Sequence, residues 1–151
     1  MVEGTAAEPP ILVSACLLGV ACNHLGRASV SDAVIELSRT RRVVAVCPET
    51  MGGLPTPRPA AEIQPDGRVV TADGANVTDH YERGARATVN VALAVGAREA
   101  VLKERSPSCG CHQVYNGSFS RTRMPGEGVT ARVLRQAGIG VRSEEDVERD
   151  G

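Results

Sequence analysis

Nucleophiles, metal ligands and turn residues crowd into one stretch of the chain, Lys103-Glu104-Arg105-Ser106-Pro107-Ser108-Cys109-Gly110-Cys111-His112. A hydrophobic core has no use for that combination. The stretch follows the apolar run Ala100-Val101-Leu102 and is therefore expected to be the loop leaving a buried strand. Pro107 fixes its own φ and holds Ser106 extended, while Gly110 permits a turn directly after Cys109. The expectation is a thiol presented to a site and not buried.

Two further cysteines have comparable surroundings. Cys16 closes the apolar run that starts at Ile11 and precedes Leu17-Leu18-Gly19; Cys47 closes Val43-Val44-Ala45-Val46 and precedes Pro48, which cannot donate to a ladder. A lone cysteine is most simply an inert core residue. Three at strand ends point to a shared three-thiolate site, whose open fourth position suits a catalytic metal better than a structural zinc. Cys22, Cys111, His24 and His112 are candidates for a fourth ligand, above all within Cys109-Gly110-Cys111-His112. With such a ligand the alternative is a zinc-binding protein, structural or regulatory, without turnover. Otherwise Cys22 and Cys111 are spare thiols near the site. The absence of a CxxC pair disfavours a zinc ribbon or a thioredoxin-like centre.

Glu49 stands two residues after Cys47. It is either a surface carboxylate or one held beside a metal, where it could exchange protons with a substrate. Ser106 either caps its loop or hydrogen-bonds substrate or water beside Cys109. Lys103, Arg105 and Arg58 are either solvated loop charges or anion holders.

The elements that must position these groups follow from pattern and punctuation. Residues 11–16 and 42–46 read as buried strands, and Ser31 is a plausible N-cap for a helix over Asp32–Thr40. Residues 51–59 are too rich in Pro and Gly for regular structure and form an ordered active-site loop. Pro65-Asp66-Gly67 between β-formers predicts a small exposed hairpin over 63–70. Thr78 can cap the longest helix, 79–95, with Tyr81, Ala85, Thr88, Ala92 and Val95 on its inner face and Gly96 as its stop. Residues 99–103 give a third strand, 129–137 a helix ended by Gly138, 139–141 a last short strand, and Glu144–Asp150 an acidic surface tail or frayed helix. Alternating strands and helices imply right-handed βαβ units. The expected fold is α/β: a single-domain, three-layer, Rossmann-like or flavodoxin-like arrangement with a short parallel sheet and a small β-hairpin insertion. Cys16, Cys47 and Cys109 then meet at the carboxyl edge of the sheet, where open α/β sheets bind ligands.

The chain of 151 residues, 42% hydrophobic and 23% charged, is enough for one domain with a core. The expected division is a flexible tail over 1–10, the α/β domain over 11–144 and an acidic tail over 145–151. A net charge of -1, with Tyr81, Tyr115 and Phe119 the only aromatic residues, disfavours an intact nucleic acid as partner and favours a small substrate. Nothing approaches a membrane span or a secretory signal, so a cytoplasmic protein without a membrane partner is expected. No GxGxxG dinucleotide fingerprint and no CxxxCxxC cluster motif occurs.

The motifs Ser14-Ala15-Cys16-Leu17-Leu18-Gly19, Cys47-Pro48-Glu49, Gly52-Gly53-Leu54-Pro55-Thr56-Pro57-Arg58, the run from Leu102 to Gly110, and Tyr115-Asn116-Gly117-Ser118-Phe119-Ser120 together resemble the thiouracil desulfurase family over residues 11–144. The resemblance implies a 4Fe-4S cluster held by Cys16, Cys47 and Cys109 with one iron open to the substrate's sulfur. It further implies Glu49 and Ser106 as catalytic residues; Arg58, Lys103 and Ser108, charged or polar residues of the same loops, are the expected substrate contacts. The implied reaction is hydrolytic, non-redox desulfuration of a thiolated nucleobase or nucleoside, releasing sulfide. One departure is His24-Leu25-Gly26, where the family commonly carries Tyr-Asp-Gly.

Overall fold

In a computed structural model, residues 8–150 are described. They form, in chain order, β1 (Ile11–Ser14), a 3-10 turn (Ala15–Leu18), α1 (Asp32–Thr40), β2 (Val43–Val46), α2 (Pro48–Met51), β3 (Ala61–Ile63) and β4 (Val69–Thr71). There follow α3 (Thr78–Val95), β5 (Glu99–Leu102), β6 (Gln113–Tyr115), β7 (Arg123–Pro125), α4 (Val129–Gln136), β8 (Gly140–Ser143) and α5 (Glu144–Asp150).

One parallel sheet has the order β2-β1-β5-β8. Because side chains alternate across a strand, its two faces are filled by different residues. Leu12, Ala100 and Leu102 meet Ala92, Ala131 and Leu134 of α3 and α4 on one face. Ile11, Val13 and Val101 meet Val34 and Val147 of α1 and α5 on the other. The result is the expected three-layer α/β fold. Chain order reverses between β1 and β5, which puts the switch point of the sheet at the loops that follow those two strands.

Local chemistry explains most of the boundaries. Ser31 Oγ accepts from the Val34 amide and caps α1. Gly96, in the left-handed region at φ 74, ends α3 by sending its N–H back to Ala92 and Leu93. Several expectations are corrected. The first strand stops at Ser14, and Cys16 lies in the 3-10 turn that Gly19 closes at φ 107. Strand β2 is a partly exposed edge, not a fully buried strand. Pro48, besides ending β2, opens α2 at a position where its missing N–H costs nothing. Thr78 is not a cap: its hydroxyl accepts from the Val69 amide and donates to Asn76. Val95, at the last turn, is 38% exposed and so does not belong to the inner face. The 63–70 hairpin is half buried, with Ala61 and Val69 packed against Tyr81 and Ala85. Finally, α5 is no frayed tail; Val147 enters the core and Ser31 Oγ donates to Glu148. The tail expected over 1–10 lies outside the described residues apart from 8–10, where Arg42 and Arg41 bond the Glu8 and Pro9 carbonyls.

Helix α2 matters to the site because it carries Glu49, and glycines set its distance from α3. A Cβ on Gly84 would come within 1.9 Å of the Pro48 carbonyl oxygen, and one on Gly52 within 2.0 Å of the His80 carbonyl oxygen. Both obstacles are backbone. Gly84→Ala is therefore expected to force α2 off α3 and cost about 1–3 kcal/mol, read as a lower urea midpoint at an unchanged m-value. An unshifted midpoint would show that the two helices have slack.

Candidate active site

The loops at the carboxyl edge of the sheet enclose a cavity of about 680 Å³ lined by Cys16, Cys47, Cys109, Glu49 and Ser106 together with Cys22. Three distant parts of the chain thus bring their thiols to one place, as expected from the strand ends. All five cysteines are free. Among the described residues, one group of three His, Cys, Asp or Glu side chains has its ligand atoms all within 4.8 Å of one another, and it is Glu104, Cys111 and His112.

Cys109 is not the presented thiol expected: it is 5% exposed and packs into the core with Ala131 and Leu134 while lining the cavity floor. Its loop is folded down by three sets of hydrogen bonds. Ser106 Oγ accepts from the amides of Ser108 and Cys109 at 3.1 and 3.0 Å. The first amides of α4, which has no side-chain cap, donate to the carbonyls of Gly110, Pro107 and Ser108. Glu104 Oε1 accepts from the amides of Arg105, Cys111, His112 and Gln113. Burial works against the Glu104 carboxylate, yet those amides hold its pKa below the ordinary value.

Burial pushes the thiol of Cys16 up to about 11 and those of Cys22 and Cys109 to about 12. As free groups they stay protonated at neutral pH, so each would give up a proton on becoming a metal ligand. The positive charge of Lys103 pulls the other way on Cys16.

Glu49 is held from behind. Its Oε1 accepts from Arg58 Nε and from the Tyr81 hydroxyl, both at 2.9 Å, and Oε2 lies 3.4 Å from Ser106 Oγ. Burial, reinforced by the Glu49 charge, raises the Tyr81 pKa, so the phenol remains a donor. Burial lowers the Arg58 pKa, but the facing carboxylate more than offsets it and the guanidinium stays charged. Ser106 therefore caps its loop, as one reading of the sequence had it, and its hydroxyl also donates to Glu49.

The remaining sequence candidates separate. Arg58 lines the cavity, but its guanidinium is spent on Glu49, the Pro55 and Cys22 carbonyls and Thr56, so it braces the carboxylate. Ser108 is 1% exposed and bonded to Thr130 at 2.7 Å, facing away from the cavity because its backbone caps α4. Lys103 lines the cavity, its ammonium bonded to the Glu104 carbonyl and the Glu144 carboxylate. Arg105 pairs with Glu145. Cys22 is a cavity thiol, whereas Cys111 does not line the cavity and lies beside Glu104 and His112.

Sequence reading missed three features. Tyr81 was indistinguishable from a core stripe. Glu104 carried no pattern. The β6–β7 hairpin, which brings Tyr115, Phe119 and Arg121 to the cavity mouth, was announced only by its Asn116-Gly117 turn signal. Phe119 and Arg121 sit at φ 56 and 60, and Glu62 holds this loop through the amides of Gly117 and Phe119.

Known proteins are similar to this chain in sequence and fold. The chain is 41% identical over 146 residues to the Bacillus subtilis (strain 168) protein YbbK, covering 91% of this chain and 97% of that one. It is 46% identical to the solved structure of TudS, a [4Fe-4S]-dependent thiouracil desulfidase, with a TM-score of 0.87 over 94% of this chain and 95% of that one. These relatives do not favour a zinc module without turnover. The sequence model of 2-thiouracil desulfurase matches residues 11–146, and the chain belongs to that family.

Proposed function

We propose that the protein is a 4Fe-4S-dependent desulfidase that hydrolyses the thiocarbonyl of a thiolated pyrimidine to a carbonyl and releases sulfide. The observation that carries this reading is the convergence of Cys16, Cys47 and Cys109 on one cavity beside Glu49 and Ser106. Their chemistry fits the cluster. Thiolates are its natural ligands, and three of them leave one iron without a protein donor. When bound, the cluster supplies a soft, Lewis-acidic iron for the thiocarbonyl sulfur.

The chain's own groups do the rest. With Oε1 fixed by Arg58 and Tyr81, Glu49 uses Oε2, whose one partner is the long contact from Ser106, to take a proton from a water adding to the thiocarbonyl carbon. The same oxygen returns that proton to the departing sulfur. Ser106 holds Oε2 in line, and Lys103 supplies positive charge at the cavity wall. The balance is C=S plus water giving C=O plus hydrogen sulfide. No electrons are gained or lost.

A cavity of about 680 Å³ lies in the range of small-molecule sites, roughly 300–1,000 Å³, which supports a free nucleobase or nucleoside over an intact nucleic acid. No helix among the described residues is long and apolar enough to cross a membrane, consistent with a cytoplasmic enzyme. The test is to incubate anaerobic, cluster-loaded protein with 2-thiouracil or 4-thiouridine in oxygen-18 water without reductant. Sulfide release with label in the new carbonyl is expected. A strict need for an electron donor, or unlabelled product, overturns hydrolysis.

A further inference from the structure

In the Cys109 loop, a carboxylate oxygen of Glu104, the thiol of Cys111 and a ring nitrogen of His112 lie within 4.8 Å of one another; Glu104 also reaches the cavity wall, whereas Cys111 and His112 do not line it. None of the three belongs to the desulfuration machinery above. Glu104 is 2% exposed. Its Oε1 is engaged by four backbone amides, but its Oε2 is buried without any hydrogen-bond partner. An orphaned oxygen on a buried carboxylate is costly unless something positive meets it. His112 is prepared in a complementary way. Its Nε2 bonds Asp146 Oδ2 at 2.8 Å, which leaves Nδ1 unengaged. A carboxylate on one imidazole nitrogen is the usual support for a metal on the other. The His112 side chain is 52% exposed, so an ion can enter from solvent.

We infer that Glu104 Oε2, Cys111 Sγ and His112 Nδ1 form a second metal site, for a borderline-soft divalent cation of the zinc type, distinct from the cluster cavity. One sulfur, one nitrogen and one oxygen ligand match zinc, with a water as fourth ligand. Binding releases the Cys111 proton to solvent and changes no oxidation state. The ion clips the loop that carries Ser106 and Cys109, tying its two ends, Glu104 and His112, together. It takes no part in turnover.

The experiment uses cluster-loaded protein, purified anaerobically and stripped of loose ions on a chelating resin. Zinc is titrated against a chromophoric chelator while iron and sulfide are assayed in parallel. One zinc per chain is expected beyond the full cluster complement, and zinc-edge X-ray absorption should show a single sulfur neighbour at about 2.3 Å with nitrogen and oxygen completing the shell. His112→Ala, at an exposed ring, should lose the ion while keeping the cluster; Cys111→Ser should lose it likewise. Asp146→Asn should weaken zinc about 10–100-fold. Absence of bound zinc in the wild-type protein overturns the site. So does wild-type affinity in His112→Ala, or zinc uptake matched by loss of iron with three sulfur neighbours, which would put the ion in the cluster cavity.

Discussion

Replacing Cys109 by alanine is expected to leave a folded protein without bound iron or sulfide and with turnover at the background rate. The same outcome is expected for Cys16→Ala and Cys47→Ala. Each thiol comes from the segment after a different strand, and Cys111, the neighbour of Cys109 on its loop, does not line the cavity. Cys109 has the least latitude: its amide is fixed by Ser106 Oγ and its loop carbonyls cap α4. Loss of one of three ligands leaves two irons unheld. Cys22→Ala should keep the cluster, although Cys22 lines the same cavity and lies beside Cys47, whose thiol contacts its carbonyl at 3.7 Å. Cys111→Ala should keep it as well. Iron and acid-labile sulfide after anaerobic reconstitution, with the visible spectrum, decide the matter. Full loading in any of the first three variants would remove that residue from the ligand set, and loss of loading in Cys22→Ala would make the site four-coordinate.

The second large effect is expected at Glu49. Glu49→Gln should lower kcat by roughly 10²–10⁴ with cluster content and substrate affinity near wild type, the range for removal of a general acid–base. Glutamine keeps an oxygen for Arg58 and Tyr81 and presents an amide where Oε2 faced Ser106. Shape is preserved and proton transfer is not. The substitution also removes the charge that compensates buried Arg58, and breaking a buried pair costs about 3–5 kcal/mol when nothing else supports the survivor. Here Arg58 retains three further acceptors, at Pro55, Thr56 and Cys22, so the loss should be smaller. An unfolding curve on the same preparation separates the two effects. Near-normal turnover would leave Glu49 as no more than the partner of Arg58.

Much of this was fixed by local sequence. The apolar runs at Ile11, Val43 and Ala100, each ending in a turn or proline signal, determine buried strands, and their alternation with amphipathic helices determines a parallel sheet. From that alone Cys16, Cys47 and Cys109 must share an edge, because every strand of a parallel sheet ends on the same side. Depth, direction and partnership were decided by tertiary structure. Ser108 and Ser106 are equivalent in sequence, yet α4 draws one backbone carbonyl to its N-terminus and turns that side chain to Thr130, while the other hydroxyl is left facing Glu49. Tyr81 has the period of a core residue, and only the approach of α2 at Gly52 and Gly84 brings its hydroxyl to a carboxylate 32 positions away. Periodicity reports which face of an element is covered. It carries no information about what covers it, since that depends on contacts between segments the chain separates and only the fold brings together.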